Sequence, residues 1–147
     1  DGETSSNQLF TVSLEYDSEF QILLKTAEYV VKKHHGNLQA AEINYSNDAE
    51  EYLKNIKQNI KPLALYLYQN ENKAITLQDI INHSTLLHAN VVRLLLNKAK
   101  LKATDIDLIG YHGQALYHKP DDGITIEVGN GQFLANKLGI AVIDDFR

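Results

Sequence analysis

Tyr111-His112-Gly113-Gln114 places an imidazole and a carboxamide on either side of a glycine. Such groups donate to and accept from sugar hydroxyls and an N-acetyl group, and a glycine lets backbone approach a ligand closely. The run follows Ile106 to Tyr111, which reads as a strand, and ligands in α/β sheets bind outside the carboxyl ends of strands. The competing reading is a strand terminus whose histidine only satisfies backbone groups. Tyr117 and His118 could add an aromatic face to the same cleft, or could simply pack a hairpin. Glu127-Val128-Gly129-Asn130-Gly131 runs from a strand into a Gly-x-Gly turn before a short helix. A helix N-terminus favours anions, and a plain tight turn fits the spacing equally well. Asp144 and Asp145 follow an apolar strand. There they could orient a water, a hydroxyl or a metal-bound water, or support their neighbours, with Asp145 pairing to Arg147.

The other histidines look structural. His34 and His35 lie at a helix end, where cations are favoured. His83 and His88 are five apart and do not share a helix face well, which argues against a metal site between them.

Elements that could position these groups can be read from periodicity. Leu9 to Tyr16 alternates as a half-buried strand does. Asp17 or Ser18 then caps a helix whose core face is Phe20, Leu23, Leu24, Ala27, Val30 and Val31, ended by Gly36. Ser46 to Asn59 is a second helical stretch, and Pro62 is expected to terminate it. Leu63 to Tyr68 is ambiguous between helix and strand, and Asn70 to Lys73 is a polar loop. Thr76 caps the longest helix, with Asp79 three residues on. Leu116 to His118 and Ile124 to Val128 flank a Pro120-Asp121-Asp122-Gly123 turn. Gln132 to Leu138 is a short helix closed by Gly139. Ile140 to Ile143 is a continuous apolar run typical of a buried strand. Strands alternate with helices, so the class is α/β.

Composition narrows the function. The net charge of −5, without a basic patch, argues against nucleic acid as a partner. With no cysteine, thiolate chemistry and disulfides are excluded. No apolar run reaches the roughly 20 residues of a membrane span, and no signal peptide is visible. A cytoplasmic protein is expected. The chain opens Asp1-Gly2, has no methionine and stops at Arg147. Both ends read as cuts, so residues 1–147 are expected to be one partial domain truncated at each end.

Four motifs decide between these readings. They are Asp105-Ile106-Asp107-Leu108-Ile109-Gly110-Tyr111-His112-Gly113-Gln114, Tyr117-His118-Lys119-Pro120, Ile126-Glu127-Val128-Gly129-Asn130-Gly131 and Gly139 to Arg147. In order and spacing they resemble the anhydro-N-acetylmuramic acid kinase family; Leu87 to Val92 is similar more weakly, and residues 1–75 only in layout. The resemblance implies a partial actin/hexokinase/Hsp70-like ATPase lobe with a mixed sheet and flanking helices. It implies phosphorylation of 1,6-anhydro-N-acetylmuramic acid by ATP with Mg2+, and hydrolytic ring opening to N-acetylmuramic acid 6-phosphate in cell-wall recycling. Substrate contacts are then expected from His112, Gly113, Gln114, Tyr117, Glu127 and Asn130, with Asp144 and Asp145 behind them.

The chain departs from the family's pattern in several places. The phosphate loop Gly-Thr-Ser-Leu/Met-Asp-Gly is absent, and the Asp-Thr-Gly-Pro-Gly-Asn motif with the expected catalytic base would lie beyond Arg147. Glu127 stands for the usual Gln, Asn130 for Asp and Ala115 for Thr. No catalytic or metal-binding residue is therefore assigned, and the chain alone is expected to be inactive and to bind neither cofactor. Its partners would be the amino sugar and the rest of the same enzyme, or a second copy in a homodimer. The alternatives are a non-catalytic α/β binding or interaction domain derived from this fold, and a related sugar or acetate kinase.

Overall fold

The computed structural model describes residues 10–144. Helix α1 (Ser18–Lys33) follows Asp17 and buries the full face read from the sequence: Phe20, Leu23, Leu24, Ala27, Val30 and Val31. The preceding run takes another course. Phe10 to Asp17 forms no strand, and Phe10 and Leu14 are largely exposed. Alternation marks a face, but a strand also needs a ladder partner for its backbone, and none pairs with this run among the described residues.

An unexpected short helix precedes the one read over Ser46 to Asn59, which is itself shorter than expected. Helix α2 (Leu38–Ile43) begins at Asn37, whose side chain accepts from the Ala40 N–H at 3.0 Å. Its few apolar residues gave little periodic signal. Helix α3 (Tyr45–Asn55) stops short of Asn59, because Lys57 turns left-handed and the Gln58 N–H closes onto the Leu53 carbonyl at 2.8 Å.

Pro62 begins a helix rather than ending one. It lies in the first turn of α4 (Ile60–Tyr68), where the backbone N–H has no partner within the helix to lose. Asn59 caps this helix by accepting from the Lys61 N–H at 2.9 Å.

Helix α5 (Leu77–Ala99) starts at Thr76, whose hydroxyl accepts from the Asp79 N–H at 3.1 Å. A second cap comes from another helix. The Glu42 carboxylate of α2 accepts from the N–H groups of Leu77 and Gln78, both at 2.8 Å. Charge-assisted bonds to a helix N-terminus are strong ones. Glu42→Ala should therefore lower the unfolding free energy by about 1–3 kcal/mol, read as a lower urea midpoint. A midpoint equal to wild type would show that Glu42 contributes nothing to anchoring α5.

The strands are short and form two separate pairs. β1 (Ile109–Gly110) runs parallel to β4 (Val142–Ile143), and β2 (Gln114–Lys119) runs antiparallel to β3 (Ile124–Val128). The class is mixed α/β. Within it, the strand expected over Ile106 to Tyr111 contracts to Ile109 and Gly110, the two residues that pair with Val142 and Ile143. The run Ile140 to Ile143 is only partly covered, with Ile140 buried and Ile143 48% exposed.

Two apolar clusters hold these parts together. One joins α1 to α4 and the start of α5 to Leu116 and Val128 of the hairpin. The other gathers Ala89 of α5, Tyr111, Ile140 and residues Leu134 and Leu138 of helix α6 (Gly131–Leu138).

Candidate functional site

Parallel pairing of β1 and β4 sends both carboxyl ends to one edge. Ile109 lies opposite Val142 and Gly110 opposite Ile143, and the Tyr111 N–H donates to the Ile143 carbonyl at 2.9 Å. Tyr111-His112 and Asp144 therefore leave the strands side by side. This is the edge at which α/β folds place ligands.

The hairpin completes this edge. Gly113 has φ +76°, and its Cα lies directly against the Val128 carbonyl. His112 Nδ1 lies 3.3 Å from Glu127 Oε2; the imidazole is 63% exposed and the carboxylate 17% exposed. Residues His112 and Glu127, assigned separately from sequence, thus form a pair. An open groove of about 450 Å³ follows, lined by Glu127, Asn130, Asp144, Gln132, Gln78 and Leu38. Its carboxylates accept and its carboxamides both donate and accept, which suits a polyol or an amide-bearing sugar.

Several candidates already have structural work. Asn130 caps α6, its side-chain oxygen accepting from the Phe133 N–H at 2.9 Å. Gln114 Oε1 accepts from the Tyr16 hydroxyl at 2.9 Å, tying the hairpin to the segment before α1. The Asp144 carboxylate packs against Gly131, the first residue of α6. A protein anion thus already sits where the helix N-terminus favours negative charge. Asp145 and Arg147 lie outside the described residues.

Tyr117 faces elsewhere. Ala115 pairs with Glu127, but Tyr117 pairs with Ile126, so β2 carries one extra residue at this point. An extra residue reverses the alternation of faces beyond it. Tyr117 therefore joins Ile126 on the α1 side, where both touch Gly36. It lines a second groove of about 470 Å³ with Tyr29, Tyr52, Lys25 and Lys32. His118 sits opposite Thr125, and Nδ1 and Oγ1 are 2.8 Å apart, a cross-strand pair on the exposed hairpin.

Helix α5 supplies what the sequence reading left out. Gln78 lines the groove, and His88 Nδ1 lies 3.2 Å from the buried Tyr111 hydroxyl. The spacing of His83 and His88 fits their separate partners: His83 Nε2 meets the Tyr66 hydroxyl at 3.1 Å. Burial holds both imidazoles below the usual 6.5, reinforced at His88 by His112 and opposed at His83 by Asp17.

A histidine depressed in the folded state favours folding while it is neutral. That contribution is complete above 6.5 and is lost as pH falls through the folded values. The urea midpoint should accordingly decline as pH is lowered from 7 to below 6.5. A His83→Gln, His88→Gln double variant should show a flatter profile over that interval. An equally steep profile in the double variant would assign the decline to other groups.

The family model for anhydro-N-acetylmuramic acid kinase matches residues 35–147. The chain belongs to the anhydro-N-acetylmuramic acid kinase family. It is 41% identical over 71 residues to the anhydro-N-acetylmuramic acid kinase of Rhizobium etli, covering 48% of this chain and 19% of that one. Over 63 residues it is 48% identical to the Methylobacterium nodulans kinase and 46% identical to that of Azorhizobium caulinodans, covering 43% of this chain and 17% of each. The matched stretch thus spans less than a fifth of the length of these relatives. The kinase-family match begins after α1 and takes in the β1–β4 edge, the hairpin and α6. No helix among the described residues is long and apolar enough to cross a membrane.

Proposed function

We propose that this chain forms part of the sugar-binding wall of a kinase acting on 1,6-anhydro-N-acetylmuramic acid. The reading is carried by the His112–Glu127 pair beside Asp144, at the shared carboxyl edge of two parallel strands inside the family-matched segment. His112 and Glu127 would hold sugar hydroxyls or the N-acetyl group, and Gly113 would keep the backbone low enough for the ring to approach. Gln114 and Asn130 support this wall through their bonds to Tyr16 and Phe133. Asp144 and Asp145 would back it up, and Tyr117 would serve the neighbouring groove.

In the complete kinase, water would attack C1 of the sugar as the C1–O6 bond of the anhydro ring breaks, and O6 would take the γ-phosphoryl group of ATP, releasing ADP and a proton and giving N-acetylmuramic acid 6-phosphate. Among the described residues no group of three His, Asp or Glu side chains could hold a metal ion. ATP and its Mg2+ are assigned to other parts of the kinase, because the family's phosphate loop and catalytic-base motif do not occur in this sequence, and the chain alone is expected to be inactive. A cytoplasmic location fits this reading, since the reaction would draw on ATP.

The test is kinetic. In the full-length kinase, His112→Ala and Glu127→Ala should each lower kcat/KM for the anhydro sugar by about tenfold or more, mainly through KM. Unchanged kcat/KM in both variants would remove this edge from the sugar site. Sugar binding by the full-length protein without any phosphate transfer would favour the non-catalytic binding domain instead.

A further inference from the structure

We infer that Thr85 of α5 is a positioning residue, whose hydroxyl fixes the loop from Val128 to Gly131 that forms the floor of the groove. Thr85 is fully buried. Its hydroxyl donates to the Ile81 carbonyl at 2.9 Å, and the oxygen then accepts from the Asn130 N–H at 3.1 Å. A buried hydroxyl is costly unless its bonds are made, and in a helix the bond to the preceding turn adds little by itself. The bond that crosses to Asn130 is the one that gives the hydroxyl a purpose. Asn130 is consequently held at two points, its N–H by α5 and its side-chain oxygen by the Phe133 N–H of α6.

The residue before it is clamped from the other side. A Cβ built on Gly129 would lie 2.6 Å from the Tyr111 hydroxyl and 2.7 Å from the ring. That hydroxyl in turn lies 3.4 Å from Thr85 Oγ1. The loop is thus gripped between α5 and the residue that follows β1, and it leads directly to Gly131 and the Asp144 carboxylate. Valine would match threonine in shape but would leave the part-buried Asn130 N–H without its acceptor.

The inference about loop geometry stands on these contacts, and its consequence for the sugar rests on the kinase reading above. Amide hydrogen exchange on the 147-residue chain tests the geometry. Thr85→Val should speed exchange at Asn130 by about tenfold or more relative to the amides of α1. Thr85→Ser, which keeps the hydroxyl, should exchange within about twofold of wild type. An unchanged Asn130 rate in Thr85→Val, or a serine variant as fast as Thr85→Ala, overturns the inference. The second comparison holds even if the valine variant does not fold.

In the full-length kinase, Thr85→Val should raise KM for the anhydro sugar by about tenfold with kcat nearly retained, and serine should restore it. A loosened loop with unaltered KM would overturn the positioning role. A wild-type enzyme that does not turn over this sugar would sink the kinase reading instead, and the exchange result would still support the clamp.

Discussion

Gly113→Ala is expected to destabilise the chain by roughly 3 kcal/mol and to separate His112 from Glu127. Two costs combine at this residue. Its φ of +76° is a left-handed conformation that L side chains adopt at a penalty. The added Cβ would also strike the Val128 carbonyl oxygen and lie 2.9 Å from its carbon. The obstacle is backbone of β3, so relief requires the strand itself to shift. That strand carries Glu127 and leads into the groove floor, so a stability defect becomes a site defect. Gly123→Ala separates the two costs, since Gly123 has φ +68° with nothing within 4 Å of a built Cβ. It should lose only about 1 kcal/mol. Urea unfolding of both variants decides the matter. Equal losses would show that the Val128 contact is unimportant.

Phe20→Ala is expected to lose about 3–5 kcal/mol, a large part of the roughly 5–15 kcal/mol that a domain holds. The ring is fully buried. It meets Tyr16 edge-on with centroids 5.0 Å apart and His83 at 5.2 Å. Its removal opens a cavity where the segment before α1, α1 and α5 converge, and Tyr16 is also the donor to Gln114. Phe20→Leu should cost less, about 1.5 kcal/mol, because most of the volume is kept. The alanine variant should additionally bring the His83 pKa closer to 6.5, since burial is what depresses it. Thermal unfolding and an NMR titration of His83 provide the two readouts. A small stability loss with an unmoved His83 would mean that the site collapses around the missing ring.

Much of the architecture was legible because it is local. The core face of α1 follows from apolar residues at helical spacing. The Thr76 cap follows from a hydroxyl placed before a periodic run, and the β2–β3 hairpin from two strand-like runs around Pro120 to Gly123. The family resemblance lay in short motifs between Asp105 and Arg147, and the family match covers them.

Other features depended on partners distant in the chain. Pro62 could end one helix or open the next, and Asn59 decided it by capping α4. Phe10 to Tyr16 had the pattern of a strand without a ladder to join. Glu42 serves α5 across 35 positions of sequence. Periodicity reports that a residue is covered, not which group covers it.

The edge with His112, Gly113 and Gln114 shows the division most clearly. Residue types and order in the sequence determined that hydrogen-bonding groups follow a strand, and which family carries them. Tertiary structure decided which of those groups meet. Parallel pairing brought Asp144 beside His112, and the hairpin brought Glu127 to it. One extra residue in β2 turned Tyr117 to the opposite face. The physical reason is that strand register, and with it the face each side chain takes, is set by pairing with another segment.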